Sequence, residues 1–452
     1  MNREKIMDDI LRDKIMENKI EVPENIKALV KNTIDNLPKK SKKKKIIKRT
    51  IITAATIVIA FSLFSATFPA VAKNIPIVNS VFSFLIENNS ISDSSYIDYS
   101  DDIKLSQTSN GVTVVIDSIV YDTMKIAIGY TVKSDKKIEV EPHILDKTFK
   151  IDGKVVSFGS GGTGEFIDEY TYVGMDEFSV GKKSFPKSIK ASILGGEVDI
   201  PDTFNMDLNI RELLGEVKGE WDFRFKVTNE KVKGKVKNIP LNLNLSKIDK
   251  DINVKEVITT PINTVIRTSM KNTTEYVDTL SYIVMDDKGK YLQINGASGN
   301  GGINTFHNEE YFSKVNDNTA SLTFIPYIRR SNEAIKSGSR KFKEEKLNNK
   351  GETIISFGKL GGVTVESVDF LEDKTLVRHK STGNLSSMYE THLVLVDSNG
   401  KEYESTKITE DNDIIIREFP KLNPNESYKI KIADYESEIK LMEDSSFTVN
   451  IK

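Results

Sequence analysis

The sequence predicts a mainly β protein: N-terminal cytoplasmic helices and one transmembrane helix, followed by about three Ig-like β-sandwich modules in series. Three observations carry that expectation. An uncharged apolar window, Thr50 to Ala72, follows a run of lysines. Beyond it the hydrophobic period changes from helical to two. The period-two pattern then recurs three times at nearly constant spacing.

In chain order, residues 1–38 read as two short amphipathic helices broken at Pro23. Ile6, Ile10, Leu11 and Ile15 recur at helical spacing, and Ile26, Leu29, Val30, Ile34 and Leu37 do so after the break. So short a segment hides too little surface by itself, and something else must cover the two stripes. A bound partner is the preferred cover; a tail drawn to anionic lipid is the plainer reading.

Charge divides the chain more sharply than its net of -2 suggests: residues 1–49 hold 15 Lys/Arg against 8 Asp/Glu, residues 73–452 hold 49 against 58, and 50–72 hold none. A helix of 23 residues rises about 34 Å, enough to cross the hydrocarbon core. Just before it, Lys39 to Arg49 supplies eight basic residues and no acid. Lys and Arg beside a span stay on the cytoplasmic side, so Lys42, Lys43, Lys44, Lys45, Lys48 and Arg49 are the expected anchoring residues. The expected location is the cell membrane, single-pass, with the N-terminus cytoplasmic and the C-terminal domains extracellular. A nucleic-acid patch is the lesser reading of the basic run. Ala70-Val71-Ala72 also resembles a cleavage site, yet the long stretch before the apolar run favours an uncleaved anchor.

Past the span, Lys73 to Asn89 places Ile75, Val78, Phe82, Leu85 and Ile86 on one side of a helix suited to packing on a membrane face or a domain. Residues 88–102, rich in Ser, Asp and Asn, read as a spacer.

The strand pattern begins at Val114 to Ile119 and is echoed at Val363 to Val368 and, more loosely, at Ile252 to Val257. Each echo is followed by a polar turn ending Gly-Lys, at Gly153, Gly289 and Gly400, spaced 39, 37 and 37 residues from the first strand residue. Strands of alternating large residues are expected to close the units: Trp221, Phe223, Phe225 and Val227; Leu322 and Phe324; Phe447, Val449 and Ile451. The expected division is 1–49 basic helical segment, 50–72 span, 73–102 juxtamembrane helix and spacer, 103–250 first module, 251–360 second module with linker, and 361–452 third module. Leu241, Leu243 and Leu245 suggest an edge strand for the first or the second module.

Composition excludes some chemistry. With no cysteine, disulfides, thiolate metal sites and cysteine nucleophiles are absent. The four histidines, His143, His307, His379 and His392, never fall at metal-ligand spacing. The glycine-rich stretches Gly159 to Gly164 and Gly296 to Gly302 lack the lysine of a phosphate loop and read as equivalent loops between strands. Asp286-Asp287 and Asp411-Asn412-Asp413 read as solvated turns rather than calcium loops. Trp221, the sole tryptophan, reads as core before sugar platform. No nucleophile elbow occurs. The chain is expected to be no enzyme and to need no cofactor.

With these pieces in place the order resembles a family of single-pass proteins of Gram-positive bacteria, built from domains of unknown function and described as candidate anti-sigma factors. The resemblance covers nearly the full chain and rests on VPENIKALVKNTIDNLPKK, FPAVAKNIPIVNSVFSFL, NGVTVVIDSIVYD and GEWDFRFKV. It implies an inner segment that holds an extracytoplasmic-function sigma factor and outer modules that sense an extracellular ligand at the cell surface, with no direct nucleic-acid contact. Carried over residue by residue, the sigma-binding candidates are Ile6, Ile10, Leu11, Ile26, Leu29, Val30 and Ile34. The one-His, two-Cys pattern of the zinc-type subclass is missing. The alternative reading is a cell-surface adhesion or wall-binding protein with no regulatory role; a weaker third is an enzyme or inhibitor released after Ala72.

Overall fold

A computed structural model describes residues 80–452, apart from 89, 92, 181–199, 214–216, 275, 278, 302–303, 330–340, 385–392 and 412–413. These residues lie in the second of two compact units, Pro76–Lys452. The unit is mainly β.

Two short helices come first, α1 (Val81–Glu87) and α2 (Ser95–Tyr99). Nine strands follow: β1 (Asp101–Ser109), β2 (Val112–Tyr121), β3 (Lys125–Ser134), β4 (Ile144–Ile151), β5 (Lys154–Val156), β6 (Gly159–Asp168), β7 (Thr171–Ser179), β8 (Thr203–Leu213) and β9 (Val217–Thr228). They form two sheets, β1-β2-β3-β7-β6 and β5-β4-β8-β9, whose inner faces share one core. Along β9 the alternation works as expected: Trp221, Phe223, Phe225 and Val227 point inward between exposed neighbours. The indole N–H of Trp221 donates to the Val112 carbonyl at 3.0 Å, tying the two sheets together.

The second module holds β10 (Lys237–Asn244), β11 (Asn253–Thr259), β12 (Asn263–Lys271), β13 (Leu280–Asp286), β14 (Tyr291–Leu292), β15 (Ile294–Gly301), β16 (Thr305–Ser313) and β17 (Ser321–Arg329). The third holds β18 (Phe342–Lys346), β19 (Thr353–Ser356), β20 (Gly362–Phe370), β21 (Lys374–Thr382), β22 (Leu393–Val396), β23 (Glu402–Tyr403), β24 (Lys407–Asp411), β25 (Ile414–Pro420) and β26 (Lys429–Ala433). Their first sheets repeat the order of the first module, as β10-β11-β12-β16-β15 and β19-β20-β21-β25-β24. Leu241 and Leu243 therefore sit in an edge strand of the second module, with β10 pairing β11.

The repeat extends to irregularities. A bulge interrupts β2 between Ile116 and Ser118, β11 between Val254 and Glu256, and β20 between Val365 and Ser367. Asp117, Lys255 and Glu366 are thus the same extra residue in three modules. The turn glycines Gly153, Gly289 and Gly400 share φ of 81°, 82° and 81°, a conformation that glycine adopts without strain. Asp286 and Asp397 brace the two longer turns in one way, each accepting from the backbone N–H groups two and four residues on. Asp286 is buried in that role and is not the solvated residue expected.

The module boundary at the C-terminus differs from the expectation. After α3 (Tyr435–Glu438), β27 (Ile439–Leu441) and β28 (Phe447–Asn450) pair with β17. Phe447, Val449 and Ile451 consequently close the second module, packing on Leu322, Phe324 and Tyr282. The corresponding place in the third module, beside β26, is filled by β18, which follows β17 in the chain. The two modules have exchanged their closing strands. Alternation fixes which face a strand buries but not which neighbour it joins, and so the sequence alone put β28 in the wrong sandwich.

Two further readings change. Gly159–Asp168 and Ile294–Gly301 are not loops but the edge strands β6 and β15. The stretch 88–102 is not a bare spacer: it holds α2 with Tyr96 buried, and β1 starts at Asp101.

Candidate functional site: a clamped helix, a buried joint and a slot under a glycine edge

The sequence-derived sigma-binding residues Ile6, Ile10, Leu11, Ile26, Leu29, Val30 and Ile34 lie outside the described residues, as do Lys42, Lys43, Lys44, Lys45, Lys48, Arg49 and the window 50–72. Among the described residues no helix is long and apolar enough to cross a membrane, and no group of His, Asp and Glu could hold a metal ion.

The described chain opens at Ser80, the N-cap of α1, whose hydroxyl accepts from the Ser83 N–H. Val81, Phe82 and Leu85 bury themselves on the outer face of the first sheet, against Val120, Ala127, Val173 and Met175. Gly129 permits this approach, since a Cβ there would stand 3.0 Å from Val81. The β2 bulge turns Asp117 toward the helix, and its carboxylate accepts the Val81 N–H at 3.1 Å and the Ser118 hydroxyl at 3.0 Å while pairing with Lys104. Because a helix start leaves N–H groups unpaired and carries partial positive charge, a buried carboxylate there is a strong latch. Tyr96 of α2 packs on Phe82 with ring centroids 5.6 Å apart and donates its hydroxyl to Glu177.

A second carboxylate joins two modules. Asp122, fully buried in the β2–β3 turn, accepts from the N–H groups of Met124 and Lys125 at 2.9 and 2.6 Å. Its other oxygen accepts from Thr260 Oγ1 at 2.6 Å and Asn263 Nδ2 at 2.9 Å, both in the β11–β12 turn of the second module. Around this joint Met124, Ile258, Val265 and Tyr311 form a small apolar cluster. Lys314 adds a tie from the second module to the residues just before α2, 2.9 Å from Asp93.

A third feature recurs inside every sandwich. Opposite the shared bulge stand Tyr130, Thr268 and His379, and the diagonally adjacent strand supplies Asp176, Glu310 and Arg417. All six are buried. In the third module the Arg417 guanidinium donates to His379 Nε2 at 3.0 Å, and burial, with Arg417 beside it, pushes the imidazole down to about 3. In the second, Glu310 accepts from Ser281 Oγ at 2.8 Å, the Tyr282 N–H and Asn308, while burial pushes its carboxyl up to about 7.

In the first, Asp176 accepts from the Tyr130 hydroxyl at 3.2 Å, and His143 Nδ1 lies 3.7 Å away. Asp176 raises the His143 pKa above its ordinary value, with Glu141 acting in the same direction. The strand over this group is β6, where Gly162 and Gly164 leave room that Asp176 and Tyr172 occupy. Glycine is needed there because a Cβ would collide with both, which explains the sequence stretch without a phosphate. Sequence reasoning missed Asp117, Asp122 and Asp176. The bulge column could have indicated the first, since it interrupts three aligned echoes with a charged residue each time.

With this geometry described, residues 42–134 match the family described as "Domain of unknown function (DUF4179)" and residues 236–357 match the "Family of unknown function (DUF5643)". The chain is therefore built in part from domains of unknown function. The second match begins at the start of β10, the structural border of the second module. No curated protein matches the chain. A crystal structure of a conserved domain protein from Bacillus anthracis is similar at 20% identity and a TM-score of 0.40, over 57% of this chain and 84% of that one.

Proposed function

We propose that the chain is a membrane-anchored anti-sigma factor and extracytoplasmic sensor. Its inner helices bind a sigma factor, and its outer modules, Ig-like in our reading, sense a surface signal. The observation that supports this reading is the latch between Asp117 and Val81. The helix it holds follows the apolar window 50–72 in sequence, and a helix fixed by both a packed face and a buried hydrogen bond moves with its sheet. Joined by Asp122 to the second module, the first module makes a stiff body whose displacement reaches α1.

The test uses the full-length chain and a variant lacking residues 2–35, each purified from membranes under native conditions. The full chain is expected to retain one sigma factor that the deletion loses. Retention of none by the full chain, beside a known anti-sigma protein that retains its partner, overturns the proposal. A deletion that leaves binding to purified cell wall as the sole activity favours the adhesion reading instead.

A further inference from the structure

We infer that the open edge of β6 is where a second copy of the chain docks, its own β6 lying antiparallel about a twofold axis at Gly162. The inference does not depend on the anti-sigma reading.

Among the described residues β6 ends its sheet, pairing with β7 on one side and with no strand on the other. Such an edge offers a row of backbone groups to any strand that can approach it, and proteins block most of theirs with charge, proline or a bulge, or keep them short. The other edges here are blocked in these ways. β1 has a bulge between Asp102 and Leu105, β10 has Pro240 with a bulge after it, and β9 has a charged residue at every second position from Lys218 to Lys226. β18 and β24 have five residues each. β15 is broken by a bulge between Ile294 and Gly296, and its Ser298 lies against the place that a Gly159 side chain would take. From Gly159 to Gly164, β6 has no charge, no proline and no bulge, and Gly159, Ser160, Gly161 and Gly162 are exposed.

The side chains of β6 suit a partner identical to itself. Opposed residues of paired strands share a face. Ser160 and Phe166 stand opposite the core residues Phe178 and Tyr172, while Thr163 and Glu165 stand opposite Met175 and Val173 on the outer face. An antiparallel register centred on Gly162 keeps those faces matched. It sets Ser160 against Gly164, Thr163 against Gly161 and Glu165 against Gly159, so that each side chain lies over a glycine and no like charges are opposed. Further out it sets Phe166 against Phe158. Phe166 is 39% exposed in one copy, whereas Phe158 packs on the first core with its ring 5.4 Å from Phe149. The second copy therefore gives the exposed ring an aromatic neighbour. Because the axis stands perpendicular to the sheet, the two five-stranded sheets join with both α1 helices on the same face, an arrangement that lets one membrane hold both chains.

The chain has no cysteine, so introduced ones report the pairing cleanly. G161C and T163C are made separately in the full-length chain, given different tags and co-expressed; a Cβ at Gly161 meets nothing within 4 Å. Cells oxidised before lysis are expected to yield a covalent dimer bearing both tags, about fivefold or more above the dimer from either variant alone, since only the mixed pair stands directly opposed. T163E faces the uncharged Met175 in its own sheet and should melt like the parent. It should nevertheless crowd acids around the axis, and sedimentation of the purified full-length chain should change from dimer to monomer. F166A should weaken the dimer in the same direction. Equal yields from mixed and single variants, capture of T163C by a different protein in place of the second copy, a parent that sediments as a monomer at every concentration, or a dimer that T163E leaves intact overturns the proposal.

Discussion

Phe324 and Phe447 stack with ring centroids 5.2 Å apart and planes 8° apart, although the whole third module separates them in the chain. That contact records the strand exchange between the second and third modules. Each of these sandwiches depends on a strand delivered from beyond its own sequence, and Ile283 and Tyr327 of the second module lie in the core of the third. Folding either alone leaves a sheet edge open and an apolar strip uncovered.

The first prediction follows from that dependence. Ile451 is 5% exposed in the core of the second module. Ile451→Ala is expected to cost about 2–4 kcal/mol. Differential scanning calorimetry should show the second and third modules melting together in the parent, and truncation after Asp434 should lower that joint transition. A third-module transition unmoved by the truncation would show that the exchange carries no energetic coupling.

Much of this fold was legible in the sequence, and the failures share a cause. The echoes at Val114, Ile252 and Val363 placed the repeated strands and their Gly-Lys turns, because alternation and turn chemistry are local. Trp221 stood out as core for the same reason. Strand partnership is not local, which is why Phe447 and Val449 went to the wrong module. The buried acids escaped for a related reason: Asp122 looks like any turn aspartate until Thr260 and Asn263 meet it from another module. The glycines of β6 suggested a loop because only the cross-strand neighbours Asp176 and Tyr172 explain them.

A second prediction concerns Asp122. Asp122→Ala removes the acceptor for Thr260 Oγ1, Asn263 Nδ2 and the backbone N–H groups of Met124 and Lys125, all of them buried where the two modules meet. Stranding these donors should cost about 3 kcal/mol or more. The loss should also uncouple the modules, so that one calorimetric transition divides into two. An undivided transition would locate the coupling in the Met124 and Tyr311 cluster instead.

The third prediction is a pH dependence. Glu310 is buried, and burial pushes its carboxyl up to about 7 from the ordinary 4.5. Between these values the folded state holds a proton that the unfolded state has released, so stability falls as pH rises from 4.5 to about 7 and levels off above. The contribution is on the order of 3 kcal/mol. Urea unfolding at a series of pH values should show this slope, and Glu310→Gln should flatten it. An unchanged slope in the variant would assign the dependence to other groups.

The fourth prediction concerns the latch. Asp117→Ala removes the acceptor for the Val81 N–H and leaves Lys104 without that carboxylate, while Val81, Phe82 and Leu85 keep their apolar contacts. Global stability should therefore fall by only about 1–2 kcal/mol. Local protection should fall further, because opening a seven-residue helix costs little once its start is unheld. Amide hydrogen exchange in α1 is expected to quicken several-fold while β7 exchange changes little. If instead α1 and β7 quicken together, Asp117 supports the whole sheet and not the helix; if neither changes, packing on Gly129 alone holds α1, and a rotation of the first module would still carry the helix with it.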